Sequence, residues 1–449
     1  MKNTLLLTPA KSLDYQEINP ENLVTALNFK KLIFLSIISG FIWVAVASPG
    51  SWVTWLGFFT VVSLILYSTI LLFQKKFVPS LSLLTYLAII QPIVRTYVPS
   101  FPYLGFEYYF LFWSFIVLIT SPNSNQKKTG AVVFYIIYLF LELFGILDVV
   151  NLENARSTII SSACVGAALL LLRKYKLEKP ELTIIFTSIL IGVFSISAVI
   201  GYGYITAPNI QWGTESNFAS SGGMGPVQIS MLMALGVIIL LVLLERVPVI
   251  TKSIYLLLTF IIATAMVLTF SRNGLYLVVI SIIIYYIIFT RPSFRFLLLL
   301  LVIGLLGYLV YRVSYDAAGD VFIRRFSSTT SARTDLIIHG WKIFLDHPLL
   351  GVGTGNYAYV VAGQEYFGSV SGAHNELIRA AAEHGFFGLV TWLLFAFYSL
   401  YYGLKDKRSY VRALRITLLV VFFAYSFVNG LKLLSQPIVL FISLSVEDF

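Results

Sequence analysis

The stretch "GAHNELIRAAAEHGFFG" (Gly372 to Gly388) gathers two histidines, two glutamates, an asparagine and an arginine inside an otherwise apolar chain. Three kinds of chemistry could use such a set. The histidines could share a metal ion, but His374 and His384 are ten residues apart. Two ligands on one helix face need i, i+4 spacing, and no HExxH occurs, so no metal is expected. A histidine titrates near neutral pH and can accept a proton from a hydroxyl. Finally, the charges can simply pair, since Glu383 lies four residues after Arg379, where helical neighbours meet. Asn375 suits a helix cap or a substrate hydrogen bond equally well. Glu376 and Glu383 could steer a bound molecule, and His384, beside Gly385, reads as a packing or capping residue.

A second set of chemically capable residues is cationic. Arg272 stands at the end of an apolar run in "TFSRNG", where a charge at membrane depth commonly marks a functional or paired site; the alternative is a side chain that snorkels to lipid head groups. Arg324, Arg325 and Arg333 follow on a later segment, each able to present a planar fork to phosphate oxygens. Arginines beside a titratable histidine suit a site that grips a diphosphate and transfers what it carries. "GVGTGNY" has the outline of a nucleotide-binding turn, but no strand precedes it, and a plain glycine turn is the better reading.

The elements that must hold these residues are membrane spans. Of 449 residues, 58% are hydrophobic and 12% charged, against about a quarter charged in soluble domains. Apolar runs long enough to cross a bilayer recur near residues 31–48, 53–73, 79–97, 103–120, 130–150, 157–172 and 183–204. Others fall near 226–244, 252–270, 275–290, 296–312, 385–403, 412–429 and 432–445. The expected fold is an all-α integral membrane protein with about 12–14 transmembrane helices. The first run lacks a cleavage site and reads as a retained helix, and the lone Cys164 excludes an internal disulfide. With the N-terminus inside, 21 of the 31 lysines and arginines fall on inner connections, and every inner loop is basic. The net charge of +10 therefore points to the membrane and not to nucleic acid. Seven of the ten outer basic residues are Arg272, Arg312, Arg324, Arg325, Arg333, Lys342 and Arg379, on or beside one long outer loop.

The chain thus divides into a helical membrane region (1–312), an outer loop (313–384) and C-terminal spans (385–449). That loop reads as structured. "ARTDLIIHGWKIFLDHP" has helical apolar spacing ending before Pro348, and "HNELIRAAAEHG" reads as a short helix closed by Gly385. His339 and His347 beside Trp341 read as structural. Glu142 and Arg95, inside or near spans, read as polar contacts between helices.

"SRNG", then "RTDLIIHGWKIFLDHPLLGVGTGNY", then "AHNELIRAAAEHGFFGLV" together resemble the signature region of the O-antigen ligase and polymerase family, over 271–390. "SSGGMGPVQISMLMALG" (220–236) resembles a further family segment, with Val227 where an asparagine is usual. The resemblance implies a metal-independent, inverting glycosyltransferase of the GT-C-like, multi-span type, with a long periplasmic loop and no cofactor. It implies a bacterial inner-membrane location and a glycan donor carried on undecaprenyl diphosphate. The acceptor is a glycan, lipid or protein hydroxyl, and a chain-length regulator and flippase belong to the same pathway. Arg272 and Arg333 then hold the diphosphate and His374 activates the acceptor, with Arg324, Arg325, Asn375, Glu376, Arg379 and Glu383 in support. A histidine at a helix start would be kept neutral by the dipole, as a base must be. Polymerase is the first reading and ligase the second. A flippase or transporter would place charges at mid-span and show internal repeats, neither of which is evident, and a non-catalytic scaffold would not require His374 together with Arg272 and Arg333.

Overall fold

The computed structural model describes residues 29–122, 130–207, 210, 216–244, 249–289, 304, 308, 312, 315, 319, 332–362 and 372–447. Among these residues the structure is helical, with no strand and one isolated bridge between Leu177 and Val446. Among the described residues, nine helices are long and apolar enough to cross a membrane by length and composition, and four shorter ones are also apolar. The protein is an all-α integral membrane protein. Arg324, Arg325 and nearly all of the span predicted at 296–312 lie outside the described residues.

The membrane helices follow the predicted spans within a few residues: α1 (Phe29–Ala47), α2 (Ser51–Phe73), α3 (Phe77–Tyr97), α4 (Gly105–Thr120) and α5 (Gly130–Phe144). They continue with α6 (Leu152–Leu171), α7 (Lys179–Thr206), α8 (Pro226–Leu244), α9 (Val249–Leu268) and α10 (Arg272–Phe289). The outer loop contributes α11 (Ala332–Asp346) and α12 (Tyr357–Ala362), and the chain ends with α13 (Glu376–Leu404), α14 (Ser409–Asn429) and α15 (Ser435–Ser445). Helix starts follow local chemistry. The Asn151 side chain accepts the amides of Glu153 and Asn154, so α6 begins at Leu152, earlier than its apolar run. Glu178 and Glu181 form a capping box at the start of α7.

Lipid tails are as apolar as leucine, so helices in a bilayer associate through close packing and shared hydrogen bonds. Helix α8 is buried at every residue from Ile229 to Leu243 and forms the centre of the bundle, touching α9, α10, α7 and α14. Ser39 of α1 meets Tyr86 of α3 and Ser195 of α7 at 2.6 Å each, and the Trp43 indole donates to Tyr86 at 2.7 Å. The outside is greasy in turn: Phe34, Phe41, Phe59 and Phe73 all stand more than half exposed. A surface of that kind is stable only against lipid.

Lys176, Lys405 and Arg408, from connections assigned to the inner side on charge, surround one small cavity together with Glu447. Residues following α3 and α14, those opening α6, and the described parts of the long loop surround another.

Candidate active site

The site is built on a mutual capping arrangement. Helix α13 breaks at Gly385 (φ 61), as the C′ reading of that glycine predicts, and its first segment ends with unpaired carbonyls. The glycine turn supplies the donors. The amide of Val352 donates to the Ala382 carbonyl at 3.0 Å and that of Gly353 to the Glu383 carbonyl at 2.9 Å. In return the Phe386 amide donates to the Pro348 carbonyl at 2.7 Å. Gly351 allows the approach: its φ is 68°, and a Cβ there would sit 2.3 Å from the Glu383 carbonyl carbon.

The same turn caps the end of α5. The Thr354 hydroxyl donates to the Glu142 carbonyl at 2.6 Å, and its amide to that of Gly145 at 3.1 Å. Asn356, buried, donates to the carbonyls of Asp148 and Val352 at 2.8 Å each and accepts the Val150 amide at 2.9 Å. "GVGTGNY" is therefore a clamp between α5 and α13, in keeping with the plain-turn reading. Asn356→Ala is expected to cost about 1–3 kcal/mol, because buried backbone groups lose their partners, and a lowered melting temperature in detergent would register it. Tyr357 ties in the outer helix by donating to the Leu336 carbonyl at 2.6 Å. Burial, and then the Glu383 carboxylate, hold its phenol above the usual range, so it remains a donor.

Beneath the turn three carboxylates converge on one guanidinium. Arg379 donates to Glu383 at 2.7 Å, to Glu142 of α5 at 2.5 Å, to Glu376 through Nε at 3.1 Å, and to the Tyr138 hydroxyl at 2.9 Å. The carboxylates are 2% exposed or less, so none is relieved by water. Ser162 of α6 adds a hydrogen bond to Glu142 at 2.9 Å. The expected Arg379–Glu383 pair is present, and Glu142 and Arg95 make the interhelical contacts read for them. Arg95 donates to Glu107 at 2.9 Å and lies over the Tyr103 ring. His384 is buried, edge-on to Tyr138 at 5.8 Å, a packing residue.

Above this cluster opens a cavity of about 650 Å³. His374, Asn375, Glu376, Arg379 and Glu383 line one side, and Arg95, Tyr103, Arg156 and Lys432 others. Asn375 resolves as a cap, its side chain accepting the Ile378 amide at 3.1 Å. His374 therefore precedes the cap instead of starting the helix. It is half-buried and held at φ 49. A non-glycine residue in the left-handed region costs about 1–2 kcal/mol, and such strain concentrates at functional sites.

Arg272 is not among the described cavity-lining residues, and the Arg333 side chain lies outside what is described. Arg272 opens α10, which packs against α14, the helix that delivers Asn429 to the cavity wall. Arg333 lies in the first turn of α11. The cations that do line the cavity include Arg95, read from sequence only as an interhelical contact, and two that sequence reasoning passed over, Arg156 and Lys432. The available signal was their place at or beside the ends of spans.

The fold and cavity define a polytopic helical membrane protein whose largest described cavity is lined by charged residues. Residues 255–393 match the family model described as O-antigen ligase, a region running from α9 into α13. That region is similar to O-antigen ligases, in agreement with the resemblance read from the sequence over 271–390. No curated protein matches the chain.

Proposed function

We propose that the protein moves a glycan from undecaprenyl diphosphate to an acceptor hydroxyl at the outer face of the cytoplasmic membrane, extending a surface polysaccharide. The observation that carries this reading is the strained placement of His374 in a cavity walled by cations, inside the family-matched region. In this mechanism His374 takes the proton of the acceptor hydroxyl as its oxygen forms a bond to the anomeric carbon. The bond from that carbon to the diphosphate oxygen breaks, and the lipid diphosphate leaves with the electron pair. Attack opposite the leaving group inverts the anomeric centre. Positive side chains offset the charge growing on the diphosphate, the role a metal plays elsewhere. Arg272 and Arg333 take part as the resemblance implies, from the starts of α10 and α11. Alanine at either is expected to raise the donor KM more than it lowers kcat.

Incubating the purified protein with a defined undecaprenyl-diphosphate repeat tests the proposal. A ladder of products without added acceptor is the expected result for a polymerase. Transfer only onto an added lipid or protein acceptor assigns the ligase reading, which uses the same donor and the same base. Absence of transfer under every condition, from correctly inserted protein, sinks both.

A further inference from the structure

The geometry points to a sugar-binding wall on the first turns of α6, formed by Asn154, Thr158 and Ser161, that seats a saccharide ring in the cavity; this rests on the glycosyl-transfer reading above. The lining is not uniform in charge. From α13 it consists of Glu376, Arg379 and Glu383. From α6 it includes Asn154, Ser157, Thr158 and Ser161, flanked by the exposed Glu153 and Arg156. The four neutral residues fall at i, i+3, i+4 and i+7, so they share one face of the helix. Packing uses a different face, where Ala155, Ser162 and Gly166 are buried.

A hydroxyl in a helix can be satisfied by its own backbone. In α7, Thr183 and Ser195 each donate to the carbonyl four residues earlier at 2.9 Å, and Thr187 does so at 2.8 Å. On α6 the Ser157 hydroxyl donates to the Asn154 carbonyl at 2.9 Å. Thr158 and Ser161 behave differently. Neither hydroxyl, nor the Asn154 side-chain amide, has a hydrogen-bond partner among the described residues, and all three residues are half-buried on the cavity lining. These groups are neutral, and each can both donate and accept. That repertoire fits a saccharide, whose ring hydroxyls do both as well. An ionised diphosphate only accepts and is matched by cations, and a lipid tail does neither. Tyr103 and Tyr108, both exposed, add aromatic rings to the same lining, and the C–H face of a sugar ring packs on such surfaces. The wall is also fixed relative to α13. A Cβ on Gly355 would lie 2.6 Å from the Ala155 amide nitrogen, so the glycine turn that grips the Ala382 and Glu383 carbonyls also abuts the first turn of α6. Ser162, next to the wall, bonds Glu142, which in turn holds Arg379. Recognition groups must be supported in this way to be in place before a ligand arrives. The volume of about 650 Å³ lies within the usual range of small-ligand pockets, about 300–1,000 Å³.

The test uses the full chain in phosphatidylcholine nanodiscs and the lipid-linked repeat extracted from cells that make the protein. Binding is measured for that lipid, for bare undecaprenyl diphosphate, and for the oligosaccharide that mild acid releases from the lipid. Thr158→Val combined with Ser161→Ala is expected to weaken binding of a sugar-bearing ligand about tenfold or more and to leave binding of bare undecaprenyl diphosphate unchanged. A loss on the lipid-linked repeat places the donor's sugar on the wall, and a loss on the free oligosaccharide places the acceptor's sugar there; either supports the inference. Neither hydroxyl has a protein partner to lose, so the melting temperature should hold, and Asn154→Ala repeats the comparison if the double variant is destabilised. Equal binding of both sugar-bearing ligands by wild type and variants overturns the inference. An equal loss on bare undecaprenyl diphosphate overturns it too, because the wall would then read the carrier and not its sugar. Absence of transfer by wild type overturns the glycosyl-transfer reading, while sugar-dependent binding remains decisive for the wall.

Discussion

Arg379→Ala is expected to destabilise the protein by about 3–5 kcal/mol, the usual range when one partner of a buried ion pair is deleted. The geometry puts the effect at the upper end. Arg379 is the cation common to Glu142, Glu376 and Glu383, and its loss leaves three buried carboxylates facing one another across α5 and α13. Arg379→Lys is expected to rescue little, because a single ammonium cannot reproduce the fork that reaches Glu376 through Nε and Glu383 through Nη1. Glu142→Gln should be far milder. It removes one of three negative charges set against one positive charge, and the amide oxygen can still accept from Arg379 and Ser162. Thermal melts in detergent, with yield of inserted protein, give the ranking. If Glu142→Gln proves as damaging as Arg379→Ala, the cluster is not organised around the guanidinium.

That cluster also marks where sequence reading stops. The spans were legible because a bilayer demands long apolar runs, and the break at Gly385 because a helix end favours a residue tolerant of positive φ. The Arg379–Glu383 pair was legible from its i, i+4 spacing. A carboxylate at Glu142 inside an apolar run announced that some partner existed, but not that it was Arg379, more than two hundred positions later. The partners of Asn356 on the Asp148–Val150 connection, the bond from Arg95 to the Lys432 carbonyl and that from the Leu434 amide to Gln91 are equally non-local. Such contacts follow from how helices stack, which no local pattern encodes. The long loop drew attention to its own arginines by their number. Lys432, Arg95 and Arg156 stood singly near the ends of spans, and only the fold brings them to one cavity.

The largest catalytic effect is expected at His374. His374→Ala and His374→Gln should each lower glycan transfer by about 10²–10⁴-fold, the usual contribution of a positioned general base, while the protein inserts and melts as wild type does. That combination separates His374 from Arg379, whose loss should reduce folding and activity together. The backbone supplies a second, independent reading. His374 is held at φ 49, and glycine adopts that conformation without the Cβ clash. His374→Gly is therefore expected to match or exceed wild-type stability, by up to about 1 kcal/mol, while losing transfer as completely as His374→Ala. A residue with no part in transfer would give the opposite activity result, since the glycine substitution would preserve output at equal or greater stability. The neighbouring His384 serves as the internal control: it is buried against Tyr138, so His384→Ala should lower the melting temperature and affect transfer only through stability. Normal transfer by correctly inserted His374→Gly would remove the base from the mechanism and leave the cavity as a binding site alone.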